Sequence, residues 1–174
     1  MEIGPGSGLL VDLILKNLNL KKVYLIDLPE VIAYCFIYLS YINPEIDISL
    51  PNEPHMRQTS LISFYIPNQI DEIGEFNLMC NTASFEEMNK SVISKYFKFM
   101  REKCEEQNIF YCFNRVEKFM KNSDDSFNQT SIPIRFAEYD WMEKDETYSY
   151  NLNNFIKIYT NNPFFSKSVK LSKK

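Results

Sequence analysis

The chain has 174 residues, a net charge of −4, 45% apolar and 24% charged residues, a globular composition that excludes a disordered tail, a collagen-like chain and a coiled-coil rod. A sequence pI near 5.1 and the lack of a basic stripe speak against a nucleic-acid partner. The only dense basic run, Lys167, Lys170, Lys173 and Lys174, reads as a solvated tail. The longest apolar run, Val31 to Ile42, is far short of the roughly 20 residues a membrane span needs. No charged and apolar leader opens the sequence. These features predict a soluble, cytoplasmic protein without a membrane partner.

Glycine is rare, and three of the four glycines lie within the first eight residues, which marks a special backbone requirement there. After them, Leu9, Leu10, Leu13, Ile14 and Leu18 form a helical stripe that predicts a helix over 9–20. Val23 to Asp27 is a short apolar strand closed by an acid. Pro29 suits a first helical turn, and 30–43 continues as a helix that is apolar nearly all round and therefore expected to be largely buried. Residues 44–58 hold Pro44, Pro51 and Pro54 and read as a loop. Strands are predicted at 61–66 and 76–81.

A long amphipathic helix is predicted over 86–107, from Met88, Val92, Ile93, Tyr96, Phe97, Met100 and Cys104. A buried strand follows at 108–113, and 120–131 reads as a loop. Residues 132–139 and 155–160 are expected to pair as a late antiparallel hairpin. Strand–helix alternation to about residue 113 predicts an α/β, doubly wound, mostly parallel sheet. No linker divides the chain. Cys35, Cys80, Cys104 and Cys112 lack metal-binding spacing, and with His55 the only histidine no usual zinc set can form. Free thiols and no metal site are expected.

In a doubly wound sheet the ligand lies beyond the carboxyl ends of the strands. The residues placed there are the glycine turn, Asp27, Asn68 and Asn81. Glycines at alternate positions in Glu2-Ile3-Gly4-Pro5-Gly6-Ser7-Gly8 let a strand turn sharply into a helix while a ligand packs against the backbone. Amides at the helix start face that ligand. A dinucleotide fold would need glycine at position 9, where this chain has Leu9. That disfavours the alternative of a nicotinamide-dependent oxidoreductase.

The glycine pattern, with an acid two residues ahead of it, resembles the first motif of class I S-adenosylmethionine-dependent methyltransferases. Asp27 lies nineteen residues after Gly8, at the position where the resemblance implies a carboxylate binding both ribose hydroxyls. Leu25-Ile-Asp-Leu-Pro-Glu30, Asn81-Thr-Ala-Ser-Phe-Glu-Glu-Met88 and, more weakly, Pro133-Ile-Arg-Phe136 extend the likeness to a bacterial sugar O-methyltransferase family. The resemblance implies a Rossmann-like fold, S-adenosylmethionine as cofactor, and a small-molecule or glycan hydroxyl as methyl acceptor. It implies cofactor contacts for Glu2, Gly4, Pro5, Gly6, Gly8, Asp27, Leu28, Asn68 and Asn81.

An alcohol is a weak nucleophile, so methyl transfer to oxygen gains from a general base. Glu87, Glu86 and His55 are the candidates. Glu86 and Glu87 also read as first-turn acids of the helix, with Ser84 as N-cap and Glu87 completing a capping box, and for Glu87 that reading is the favoured one. His55 lies in a proline-rich loop and reads more readily as an exposed loop residue.

The first strand of the superfamily is central in the sheet, yet here it is represented only by the residues before Gly4. Residues 1–174 are therefore expected to form a single methyltransferase-like domain lacking its N-terminal part. The chain is either an enzyme fragment, an inactive remnant, or a subunit whose partner chain supplies the strand.

Overall fold

A computed structural model describes residues 1–115, 117–120, 132–135, 147–149 and 164–169. Strand β1, Glu2–Ile3, leads through the glycine turn into helix α1, Leu9–Asn17. Strand β2, Val23–Ile26, is followed by α2, Pro29–Ile42, whose first turn holds the predicted proline. Strands β3, Ile48–Ser49, β4, Ile62–Tyr65, and β5, Phe76–Thr82, precede α3, Lys90–Lys103. Strands β6, Cys104–Arg115, β7, Glu117–Met120, β8, Ile132–Arg135, β9, Thr147–Ser149, and β10, Phe164–Val169, complete the described elements.

The main sheet has the order β3-β4-β2-β1-β5-β6-β10-β9. Its first six strands are parallel, while β10 runs antiparallel to β6 and to β9. This is the Rossmann-like α/β methyltransferase fold. Strand β1 is central, with β2 on one side and β5 on the other. The strand order reverses beside it, which is where such sheets open a crevice at their carboxyl edge.

Each face of the sheet carries a core. Ile3, Ile26, Met79, Phe85, Phe97 and Phe110 are buried on the α3 side, and Val11, Leu25, Ile32, Cys35, Leu39 and Phe64 on the α1 and α2 side. Phe85 is fully buried, with ring centroids 6.0 Å from Tyr96, 5.9 Å from Phe97 and 6.3 Å from Phe110. Burying a side chain of this kind contributes about 1.5–3 kcal/mol, and it pins the segment after β5 to the core.

Several expectations change. Residues 104–107 are strand, not helix: β6 begins at Cys104, opposite Phe76 of β5, and after a register shift the ladder continues from Leu78↔Ile109; sheet formation overrides the helical preference of Glu-Glu-Gln. The helix also starts later, at Lys90, since Phe85–Glu87 tightens into a separate 3-10 turn in which Ser84 makes no side-chain cap. The proposed capping box is therefore absent. Helix α1 stops at Asn17 rather than 20. The loop at 44–58 contains β3, whose Ser49 hydroxyl bonds Ser63 Oγ at 2.8 Å.

Helix α2 is not buried all round: Ile32, Cys35 and Leu39 face the sheet, whereas Tyr34, Ile37 and Tyr41 are 74%, 64% and 85% exposed. Ile132–Arg135 pairs with β7 in a separate two-stranded sheet. Residues 155–160 lie outside the described residues. The antiparallel C-terminal part of the main sheet is made by β9 and β10 instead. Among the described residues no helix is long and apolar enough to cross a membrane, and no cluster of His, Cys, Asp or Glu could hold a metal ion.

Candidate functional site

The turn after β1 is built from three residues in the left-handed region: Gly4 at φ 70°, Gly6 at 55° and Gly8 at 84°. L-residues enter this region at a cost of about 1–2 kcal/mol, which explains the alternating glycines. Gly4 N donates to Ile26 O at 2.8 Å, and Gly8 N to the carbonyl of buried Pro5 at 2.9 Å. Gly8 caps α1, accepting from Asp12 N at 2.9 Å. A Cβ on Gly4 would overlap the Ser84 side chain, and one on Gly8 would stand 2.8 Å from Cys35 Sγ. A Cβ on Gly6 would meet nothing within 4 Å. Gly4 and Gly8 are thus glycines because of close packing, whereas Gly6 leaves bare backbone facing open space.

Asp27 follows β2 at the same edge of the sheet. Its Oδ2 accepts from Gly6 N at 3.3 Å and its Oδ1 from Leu28 N at 2.8 Å. The two sequence signals therefore converge on one place. Burial raises the Asp27 carboxyl above its ordinary range, the two amide donors oppose that rise, and the Glu87 charge adds to it. Glu87 thus lies within electrostatic reach of Asp27, exposed in the turn after β5. Glu86 is in the same turn, with a side chain outside the described residues. Leu28, beside Asp27, is 56% exposed despite being a large apolar residue.

The end of β5 forms the floor. Asn81 is fully buried and donates to Ile3 O at 2.9 Å and Ser84 Oγ at 2.5 Å, while its Oδ1 accepts from Phe85 N at 3.2 Å. Ser84 Oγ donates to Ile3 O at 3.0 Å. Asn81 therefore ties β1 to the loop after β5, and its placement is that of a brace beneath the glycine turn. Ala83 sits at φ 61°, a strained conformation of the sort that collects at functional sites. Its amide donates to Phe113 O at 2.7 Å. Sequence reasoning assigned Ser84 to a helix cap and gave Ala83 no part. The available signal was the polar run Asn-Thr-Ala-Ser interrupting an otherwise apolar stretch.

Glu2 is 4% exposed, and its Oε2 has no hydrogen-bond partner among the described residues. Burial pushes its carboxyl up to about 8, the Met1 ammonium pulls it partly back, and Asp27 adds to the rise. Glu2 therefore holds its proton to a higher pH than an exposed glutamate does.

The remaining predicted residues lie further out. His55 is exposed in the turn Pro54–Met56 beyond edge strand β3, with β4 and β2 between β3 and β1. Asn68 is exposed after β4 and lines a cavity of about 500 Å³ with Tyr96 and Phe99 of α3. The glycine turn does not line that cavity, but Tyr96 links the two regions. Its hydroxyl is pushed up to about 12, first by burial and then by the charge of Asp27.

The fold is shared with solved structures of S-adenosylmethionine-dependent methyltransferases. The structure of the DhpI–SAH complex matches with a TM-score of 0.55 and 11% identity, over 99% of this chain and 76% of that one. The methyltransferase domain of bacterial CtHen1-CN matches at 0.56 and 12%, over 98% and 88%. An S-adenosylmethionine-dependent methyltransferase from Clostridium acetobutylicum matches at 0.53 and 11%, over 98% and 82%. No protein-family model matches the sequence, and no curated protein does.

Proposed function

We propose that the chain binds S-adenosylmethionine and serves methyl transfer to a hydroxyl oxygen of a small molecule or glycan, with a sugar hydroxyl as the acceptor. One observation carries this reading: the Gly6 amide and the Asp27 carboxylate meet at 3.3 Å across the ends of adjacent parallel strands. The residues fit the cofactor. Gly6 offers backbone that no side chain covers. Asp27 accepts one amide on each oxygen, and a carboxylate oxygen has lone pairs for more, so a ribose diol can share it. Exposed Leu28 offers an apolar surface for an adenine ring, and Asn68 a polar group for its edge.

S-adenosylmethionine supplies a methyl group activated on a sulfonium. The protein's part is to hold the acceptor oxygen in line and to keep water out. Glu87 is the base we assign to the acceptor proton, since it stands at the mouth near Asp27. Asn81 and Ser84 keep the floor in place.

Binding of S-adenosylhomocysteine tests the reading. It should raise the melting temperature of the chain, and Asp27→Ala should abolish the shift. Unchanged melting at saturating ligand would refute it.

A further inference from the structure

The two helix layers turn different surfaces outward. Among the described residues the large apolar side chains that are exposed all lie between Leu9 and Tyr41, Met56 excepted. Helix α3 turns Ser91, Ser94, Lys95, Lys98 and Glu102 to solvent, the ordinary pattern of a surface helix. Helix α2 instead exposes Tyr34, Ile37 and Tyr41, and no charged residue occurs from Val31 to Pro44. Ile32, Cys35 and Leu39 account for the side of α2 that packs on the sheet. A second apolar side is left that the single chain does not cover.

The order of residues along that side says what fits it. Tyr34, Ile37 and Tyr41 follow at intervals of three and four, which places them on one face of the helix. An aromatic ring stands on each side of a central aliphatic residue, so the stripe reads alike in both directions. Laid antiparallel on itself, it brings Tyr34 against Tyr41 of a second copy and Ile37 against Ile37. Such a contact is isologous, the self-complementary kind that closes a dimer. It buries no charge, because Glu30 and Glu45 lie beyond the two tyrosines, at its rim. Tyrosine suits the place, with a ring to bury and a hydroxyl that reaches water at the edge.

The area is of the right size. Tyr34, Ile37 and Tyr41 are 74%, 64% and 85% exposed, which for large side chains amounts to roughly 450 Å². Helix α1 adjoins α2, since a Cβ on Gly8 would stand 2.8 Å from Cys35 Sγ. Its Leu9 and Leu13, 64% and 58% exposed, bring the total to roughly 650 Å². A stable interface takes about 800 Å² from each partner.

We propose that the outer face of α2 is the centre of a two-fold interface between two copies of this chain, with Ile37 on the axis. The proposal rests on the exposed stripe and is independent of the methyl-transfer reading.

Analytical ultracentrifugation of the whole chain, without cofactor, tests it. At about 10 μM, the weak end of the range for interfaces of standard size, the chain should sediment as a dimer of 20.6 kDa subunits. Ile37→Glu and Ile37→Lys should each weaken dimerisation at least about hundredfold, because the axis sets like charges against each other. Mixed in equal amounts, the two variants should form a dimer again, since glutamate then meets lysine. Lys98→Glu, at a position 78% exposed on α3, should leave the dimer as it is. Circular dichroism at a dilution where the parent is monomeric should be the same for all, as the altered side chains are exposed. A parent that stays monomeric at the higher concentration, or an Ile37→Glu variant that still dimerises, would overturn the proposal. A mixture that fails to dimerise would overturn the antiparallel alignment.

Discussion

Replacing Gly4 and Gly6 in turn by alanine separates packing from ligand binding within one turn. Both glycines have positive φ, 70° and 55°, so each alanine costs about 1–2 kcal/mol in backbone strain. At Gly6 nothing else is added, because no atom lies within 4 Å of the new Cβ. At Gly4 the methyl overlaps Ser84, which must move. Its bonds to Ile3 O and from Asn81 Nδ2 go with it. Two buried hydrogen bonds at about 1 kcal/mol each bring the total for Gly4→Ala to roughly 3–4 kcal/mol. One kcal/mol corresponds to about 2–4 °C in a domain of this size, so Gly4→Ala should melt several degrees below Gly6→Ala. Thermal melts give the first readout, and calorimetric titration with S-adenosylhomocysteine the second. Gly6→Ala should weaken binding at least about tenfold, about 1.4 kcal/mol, because its methyl projects into the open mouth of the turn. Equal melting losses would refute the Ser84 packing argument. Unchanged affinity in Gly6→Ala would refute the assignment of bare backbone to the ligand.

Glu2→Gln tests the buried carboxyl. The folded value near 8 stands above the ordinary 4.5, so between these pH values the native state keeps a proton the unfolded chain has released, and stability falls as pH rises. The buried Met1 ammonium, lowered below 8.0, acts in the opposite sense, while Asp27 and Lys21, Lys22 and Glu75, which line a cavity with Glu2, are untouched by the change. Melting between pH 5 and 8 should therefore decline less steeply with pH in Glu2→Gln than in the parent; equal slopes would remove Glu2 as the cause. For Glu87→Gln, initial-rate measurements should show a loss of about 10²–10⁴-fold in kcat with Tm unchanged, since the residue is exposed; full activity would exclude it as the base. Burial pushes the Cys35 and Cys80 thiols up to about 12 and about 11. Native-state labelling with a thiol reagent, read by peptide mapping, should leave both unmodified until the protein unfolds; rapid labelling of either would contradict its burial.

The features that neighbouring residues impose on one another are readable along the chain. The glycine spacing announced a sharp turn from strand to helix, and the acid closing the next apolar run was expected at the same edge of the sheet. The alternation of short apolar runs with helical stripes was enough for a parallel, doubly wound sheet, while the central place of β1 was implied by the family resemblance. What required the folded chain were the contacts between distant residues. Ser84 has its meaning through Ile3, 81 positions away, and Asn81 through the same carbonyl, 78 positions away. Strand β3 is two residues long, too short for any periodicity, and exists because β4 offers it an edge. The change from helix to strand at Cys104 follows from pairing with β5, and the exposed stripe of α2 from the choice of Ile32, Cys35 and Leu39 as its buried side. Backbone strain and capping are local energies and leave local signatures, whereas strand partnership and burial depend on which surfaces the completed sheet brings together.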